Sequence, residues 1–151
     1  MVSKVPISGS AVVRSVPSAI KEVWGRILSE LESEDFHQED VFAVHLATEE
    51  AFLNALKHGN RMDSGKRVRI DYVVAPDRVE VSLTDEGDGF DPTRVPDPRC
   101  GENLYKTAGR GVFLMQCYMD VVEFNERGNS VRMIKYKGGT GAGRTPREPE
   151  A

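Results

Sequence analysis

Three polar side chains recur at a one-turn spacing within residues 49–60, which read EEAFLNALKHGN. In a helix, Glu50, Asn54 and His58 place a carboxylate, a carboxamide and an imidazole along one side. Two small residues precede them on that side, Ala43 and Ala47. A plain surface favours longer charged side chains, so the row indicates a binding site. The alternative is a solvated stripe on a packed helix, with His58 satisfied by the helix dipole.

A second group of residues, TDEGDGFDP, follows a predicted strand. The carboxylate of Asp85 at the strand end can accept a hydrogen bond from an exocyclic amine such as that of adenine. Gly87 and Gly89 let a ligand approach the backbone closely. The alternative interpretation is a glycine-rich turn. A calcium loop is excluded, because Gly87 and Pro96 occupy its third and twelfth ligand positions.

A third group, Gly109, Arg110 and Gly111, comes directly before an apolar segment of helical character. Free backbone N–H groups at the positive end of a helix bind phosphate, and the alternative is a simple hinge. Residues 138–145, GGTGAGRT, have the spacing of a P-loop with Arg144 in place of lysine. That interpretation is rejected, because a P-loop needs a strand before it and a helix after it.

Apolar spacing predicts the helices that must position these groups. The first helix covers residues 17–31 and the third covers residues 112–119. The second covers residues 41–58, is capped by Asp40 or a neighbour, and stops at Gly59 in a left-handed conformation. Its apolar side is predicted to carry Phe42, Leu46, Leu53 and Leu56.

Alternation of polar and apolar residues predicts a short first strand, residues 10–16, and two later hairpins. The hairpin strands are residues 66–74, 77–85, 120–126 and 130–137. This order predicts a two-layer α/β sandwich in which helices cover one face of a mixed, mostly antiparallel sheet. The glycine- and proline-rich residues 86–111 are predicted to form a lid, since such long loops in compact domains are usually binding loops.

The composition is that of one globular domain, predicted at residues 1–137 with a disordered tail at 138–151. The formal net charge of −4 gives no reason to expect nucleic acid or an anionic membrane as partner. No apolar run reaches the ~18–20 residues of a membrane span, and the first residues lack a secretory signal. Cys100 and Cys117 complete no metal motif and are expected to pack in the core of a reduced, cytoplasmic protein.

The order of the three groups resembles the GHKL (Bergerat-fold) ATP-binding superfamily. EEAFLNALKHGN resembles its N box, DEGDGF its G1 box and GRGVFLM its G2 box, while GNSVRMIKY stands where the weakly defined last box falls. The chain is most similar to the anti-sigma-factor serine/threonine kinases, whose N box reads E-A-x-x-N-A-x-x-H-G, as residues 50–59 do here. The resemblance covers residues 7–136.

The resemblance implies ATP and Mg²⁺ as cofactors. Glu50 is then the general base aimed at a serine hydroxyl, and Asn54 is the Mg²⁺ ligand. Asp85 is expected to bind the adenine amine. The full nucleotide-binding set implied by the resemblance is Asn54, Lys57, His58, Asp85, Gly87, Gly89, Arg94, Lys106, Gly109, Arg110, Gly111 and Val112. Within it, Arg94 and Lys106 are the lid residues expected to contact the terminal phosphate.

The resemblance also implies two protein partners, a sigma factor and an anti-sigma-factor antagonist (a STAS domain) that carries the phosphorylated serine. A homodimer is possible through the apolar first strand. Two alternatives remain open. One is a nucleotide-binding regulator that sequesters a partner with little kinase activity. The other is a histidine-kinase-type ATPase domain, disfavoured because the short segment before the helix that carries the N box has a single histidine, His37.

Overall fold

One antiparallel sheet organises the fold in the computed structural model, which describes residues 6–87 and 110–139. The strands are β1 (Ile7–Arg14), β2 (Arg67–Val74), β3 (Arg78–Asp85), β4 (Val121–Phe124) and β5 (Ser130–Tyr136). They lie in the order β1-β2-β3-β5-β4, and each of these pairings is antiparallel. Within the described residues the sheet is therefore fully antiparallel, where a mixed, mostly antiparallel sheet was predicted.

In the described part of the chain, three helices cover one face of this sheet. They are α1 (Ile20–Ser33), α2 (Gln38–Asn54) and α3 (Arg110–Tyr118). A 3₁₀ turn (Pro17–Ala19) leads into α1, a π turn (Ala55–Gly59) extends α2, and a 3₁₀ turn (Lys137–Gly139) follows β5. The predicted two-layer α/β sandwich is confirmed.

Alternate side chains of the central strands separate the two faces of the sheet. On β2, Val68, Ile70 and Tyr72 are buried beneath the helices, whereas the residues between them are more exposed. On the outer face, Glu80 of β3 accepts hydrogen bonds from Arg78 and from Arg132 of β5. Both predicted hairpins are confirmed, because the period-2 pattern matches one buried and one solvated face.

The buried face of α2 differs in part from the predicted one. Leu56 of the predicted apolar side is buried, but Phe42 is 58% exposed, and Ala43 and Ala47, which were predicted to lie beside the polar row, are buried. The prediction assumed that the largest apolar residues mark the interior. However, α2 packs closely on α3 as well as on the sheet, and small alanines allow that close approach.

Both ends of α2 also differ from the prediction. The helix begins at Gln38, so Asp40 lies within its first turn; its buried carboxylate accepts a hydrogen bond from the Gly138 N–H at 2.8 Å. At the other end, the left-handed residues are Arg61 (φ 54°) and Met62 (φ 60°), not Gly59. The π turn postpones the reversal of the chain by two residues.

The expectations about the cysteines, the lid and the tail can be compared with the structure only in part. Cys117 is exposed on α3, so its predicted place in the core is wrong. Cys100 and residues 140–151 of the predicted tail lie outside the described residues, as do residues 88–109 of the predicted lid. Among the helices described, none has the length and apolar character needed to cross a membrane.

Candidate functional site

Glu50 and Asn54 lie one turn apart on α2, and both side chains are half-buried. Lys57 and His58 follow in the π turn and are exposed. Insertions of π geometry into α-helices are frequent at functional sites. The predicted polar row thus lies on one continuous helical segment, with the carboxylate and the carboxamide at its more enclosed end.

The start of α3 packs on Glu50. A Cβ atom on Gly111 would lie 3.2 Å from Oε1 of Glu50 and 3.8 Å from its carbonyl oxygen, so a side chain at this position presses on the carboxylate. At the other end of α3, the rings of Tyr118 and Phe42 meet edge to face at 6.4 Å. The two helices therefore run antiparallel, and the Glu50 carboxylate faces the positive end of the α3 dipole.

α2 and the π turn together form one helical segment, which we call the α2 segment. Asp85 ends β3 and packs directly against the end of the α2 segment. A Cβ atom on Gly59 would overlap the Asp85 carboxylate, and one on Gly87 would overlap the carbonyl oxygen of Gly59. The Gly87 N–H donates to Oδ1 of Asp85 at 2.8 Å. Glycine is needed at both positions because two backbone segments and a buried carboxylate meet without space for a methyl group.

The environment of Asp85 shifts its protonation equilibrium. Burial raises the pKa of this carboxyl group above its ordinary value of 3.8, and the Gly87 N–H acts in the opposite direction, as do the nearby charges of Lys66 and Arg127. Buried titratable groups with shifted pKa values concentrate at functional sites. Burial removes water molecules that would otherwise donate hydrogen bonds to the Asp85 carboxylate. A ligand group that donates a hydrogen bond to Asp85 replaces that lost hydration.

Asn60, which the sequence analysis did not single out, connects the end of the α2 segment to the ends of neighbouring strands through the hydrogen bonds of its side chain. Its side chain is fully buried. The amide nitrogen donates to Oγ of Ser15 at 3.2 Å and to the carbonyl of Arg67 at 3.0 Å. Its Oδ1 accepts the N–H of Glu86 at 2.8 Å. The only sequence signal is a polar residue directly after the helix end, which is also what an exposed turn would show.

Replacing Asn60 with alanine is expected to lower the free energy of unfolding by about 2–4 kcal/mol, because it leaves several buried polar groups unpaired. Ser15→Ala removes one of these bonds and serves as the graded control, with an expected loss of about 0.5–1.5 kcal/mol. Urea denaturation measures both. Equal losses in the two variants would contradict the anchoring role of Asn60.

The turn of the second hairpin, which joins β4 to β5, also contacts the end of β3. Asn129 donates its side-chain N–H to the Asp85 carbonyl at 3.2 Å, and its own carbonyl accepts the Asp85 N–H at 2.9 Å. Arg127 lies 3.5 Å from the carbonyl of Gly87. The end of β3 is therefore held from both sides, by the α2 segment and by the hairpin.

The structure brings together part of the predicted site. Glu50 meets Gly111, and Asp85 and Gly87 meet the end of the segment that carries Asn54. Val112 is half-buried on α3 and packs on the core, and Arg110 is the first described residue of that helix. The predicted residues outside the described range are Gly89, Arg94, Lys106 and Gly109.

Protein side chains alone do not assemble a metal site in the part of the chain that the structure describes. There, no three His, Cys, Asp or Glu side chains come together in a geometry that could hold an ion. Magnesium in nucleotide sites is usually held by one or two protein oxygens together with substrate phosphates. The half-buried carboxamide of Asn54 offers one oxygen of this kind.

Comparison with known proteins decides the family. A family model described as a histidine kinase-like ATPase domain matches residues 13–135. The chain belongs to the histidine kinase-like ATPase domain family. The matched range includes α2, Asp85 and α3, so the GHKL relationship predicted from the order of the three boxes is confirmed.

This histidine kinase-like ATPase domain is similar to serine-protein kinases. It is 32% identical to the serine-protein kinase RsbW of Bacillus subtilis (strain 168) over 108 residues, which cover 67% of this chain and 68% of that protein. The serine-protein kinase RsbW of Listeria monocytogenes serotype 4a (strain HCC23) is 31% identical over 108 residues, covering 67% and 69%. These relatives confirm the predicted branch of the superfamily at the level of the RsbW serine-protein kinases.

A solved structure supports the fold of this ATPase domain. The crystal structure of the RsbU and RsbW domains of Rv1364c from Mycobacterium tuberculosis matches with a TM-score of 0.58 and 14% identity, covering 87% of this chain and 32% of that one. The chain thus spans about a third of the length of that solved chain. At this identity, the likeness shows that the two share the fold.

Proposed function

We propose that the protein is an ATP-dependent serine/threonine protein kinase that regulates a sigma factor. The observation that carries the proposal is the packing of Gly111 on the carboxylate of Glu50, one turn from Asn54. This contact joins a candidate general base, a candidate metal ligand and a phosphate-binding helix start in one place. The similarity to RsbW serine-protein kinases supports the same conclusion.

Asp85 and the glycines around it are the proposed recognition site for adenine. Its buried carboxylate accepts a hydrogen bond from the exocyclic amine, and Gly87 leaves room for the ring. Asn54 is the proposed Mg²⁺ ligand, and the proposed phosphate contacts are the start of α3 and the lid residues Arg94 and Lys106, which were predicted from the sequence. When bound, ATP supplies the phosphoryl group and Mg²⁺ neutralises its charge.

Glu50 is proposed to accept the proton of the serine hydroxyl. A carboxylate in this role must lie within hydrogen-bond reach of the incoming hydroxyl and be ionised at working pH. Its half-burial on α2 and its contact with the start of α3 orient it, while Asn54 lies one turn away toward the nucleotide. The proposed substrate is a serine of a STAS-type antagonist, and the proposed sequestered partner is a sigma factor.

A homodimer through the first strand remains part of the proposal. β1 lies at one edge of the sheet and pairs only with β2 among the described strands. Its side chains Ile7 and Val12 are 38% and 53% exposed. An apolar edge strand of this kind readily pairs with another chain.

Calorimetry with ATP and Mg²⁺ on Asp85→Asn tests the nucleotide site. We expect the affinity for ATP to fall about 10–100-fold, since a hydrogen bond to a charged acceptor contributes roughly 1.5–3 kcal/mol. Asp77→Asn, in the exposed turn that joins β2 to β3, is the matched control and should bind like the wild type. Equal affinity in the two variants would contradict adenine recognition by Asp85.

The stability of Asp85→Asn distinguishes a loss of adenine recognition from misfolding. Because burial raises the pKa of Asp85, its ionisation opposes folding as the pH rises above 3.8 through the raised native value. The neutral amide in Asp85→Asn has no such cost. The variant should therefore be at least as stable as the wild type at neutral pH, and a loss of ATP affinity reports recognition.

A further inference from the structure

An open groove lies between α1 and α2, apart from the proposed nucleotide site. Its volume is about 610 Å³. Six of its nine lining residues carry apolar or aromatic side chains, namely Trp24, Leu28, Phe36, Val41, Phe42 and His45. We call this surface the α1–α2 groove.

Aromatic rings organise the α1–α2 groove. Trp24 of α1 stacks on His45 of α2 with ring centroids 4.5 Å apart and planes 6° from parallel. His45 is fixed on its other side by Glu49, at 3.0 Å between Nε2 and Oε2. Phe42 extends the surface and is 58% exposed. Trp24 is buried, so Phe42 is the accessible ring of this surface, and exposed aromatic side chains are typical anchors of protein–protein interfaces.

Two carboxylates, Glu32 and Asp35, line the end of the groove near the α1–α2 connection, and both residues are exposed. Neither lysine nor arginine is among the described residues that line it. Lys137 lies 5.1 Å over the ring of Phe36 and donates a hydrogen bond to the carbonyl of Glu34. The groove is therefore apolar at its floor and negative at one end.

We propose that the α1–α2 groove binds a basic amphipathic helix of a partner protein. Trp24, Leu28 and Glu32 form a row about 12 Å long on α1, which matches two turns of a third helix. Such a helix would place an apolar row between α1 and α2, with lysine or arginine beside Glu32 and Asp35. The carboxylates repel the phosphates of membranes and nucleic acids, and a second copy docked groove to groove would bring its own Glu32 and Asp35 to the same interface.

Two synthetic 16-residue helical peptides test the proposal. Both peptides share one row of leucines. At alternate polar positions, one peptide carries lysine and the other carries glutamate. Trp24 is the single tryptophan of the chain and reports binding through its fluorescence. We expect the lysine peptide to bind at least about tenfold more tightly than the glutamate peptide, and Phe42→Ala to weaken it about tenfold, each equivalent to ~1.4 kcal/mol.

Charge reversal provides the matched comparison. Glu32→Lys/Asp35→Lys and the control Glu22→Lys/Glu126→Lys change the net charge equally, from −4 to 0. Glu22 and Glu126 are exposed and lie outside the groove lining. Only the first pair should abolish the preference for the lysine peptide, while ATP affinity stays that of the wild type in both.

Three results would overturn the proposal. The two peptides bind equally, or both charge-reversal variants lose the preference to the same degree. Alternatively, sedimentation shows a dimer that Phe42→Ala dissociates, which assigns the groove to a second copy. Because Trp24 and Phe42 take no part in the nucleotide site, none of these results depends on whether the kinase proposal holds.

Discussion

Glu50→Gln is expected to lower phosphoryl transfer to serine by about 10²–10⁴-fold, the usual contribution of a positioned general base. The amide has the same shape as the carboxylate and still fits against Gly111, but it cannot accept the hydroxyl proton. ATP affinity should be retained, since Asp85 and Asn54 are unchanged. Transfer of labelled γ-phosphate to antagonist-type domains from the same genome measures the rate, and calorimetry measures binding.

Glu49→Gln is the matched control for this experiment. Glu49 is the neighbouring carboxylate, but its side chain turns away to pair with His45 and is 47% exposed. Its substitution should leave the transfer rate unchanged. If Glu50→Gln transferred phosphate as fast as Glu49→Gln, Glu50 would not be the base. A wild-type protein that binds a sigma factor but transfers no phosphate would instead support the sequestering regulator.

Gly87→Ala is expected to destabilise the fold by about 1–3 kcal/mol or more and to abolish ATP binding. The added methyl group would overlap the carbonyl oxygen of Gly59, which is backbone and cannot rotate away. Relief of the overlap must separate the end of the α2 segment from the strand end. That movement displaces Asp85 from the position proposed to recognise adenine.

Gly25→Ala is the control, and it is expected to change the stability in the opposite direction. Gly25 lies inside α1, and an added Cβ has no atom within 4 Å. Since glycine in a helix interior is less favourable than alanine, this variant should be about 0.5–1 kcal/mol more stable than the wild type. Urea denaturation and ATP calorimetry on both variants measure the effects. A Gly87→Ala protein with wild-type stability and ATP affinity would contradict the proposed packing.

The strands and the chemical groups followed from local pattern. Period-2 alternation predicted both hairpins, because each strand has one buried and one solvated face. The groups that carry Glu50, Asn54, Asp85 and Gly111 follow one another in the order of the GHKL boxes, and that resemblance implied a shared site. The helical period located α1 and, within a few residues, the ends of α2.

The faces of α2 followed only in part from local pattern. A helix that contacts both a sheet and a second helix buries its small residues where the backbones approach most closely, so Ala43 and Ala47 are interior and Phe42 is exposed. Size and hydrophobicity alone placed Phe42 inside and left the two alanines beside the polar row. Asn60 was missed for a related reason, since two of its partners, Ser15 and Glu86, are distant in sequence.

By itself, the sequence determined which residues are candidates for the chemistry and which segments are strands or helices, because these depend on side-chain type and on near neighbours along the chain. The tertiary structure decided which faces meet. It placed Gly111 on Glu50 and Gly59 on Asp85, and it left a groove between α1 and α2. Those contacts join residues far apart in the chain, where packing distance rather than periodicity sets the outcome.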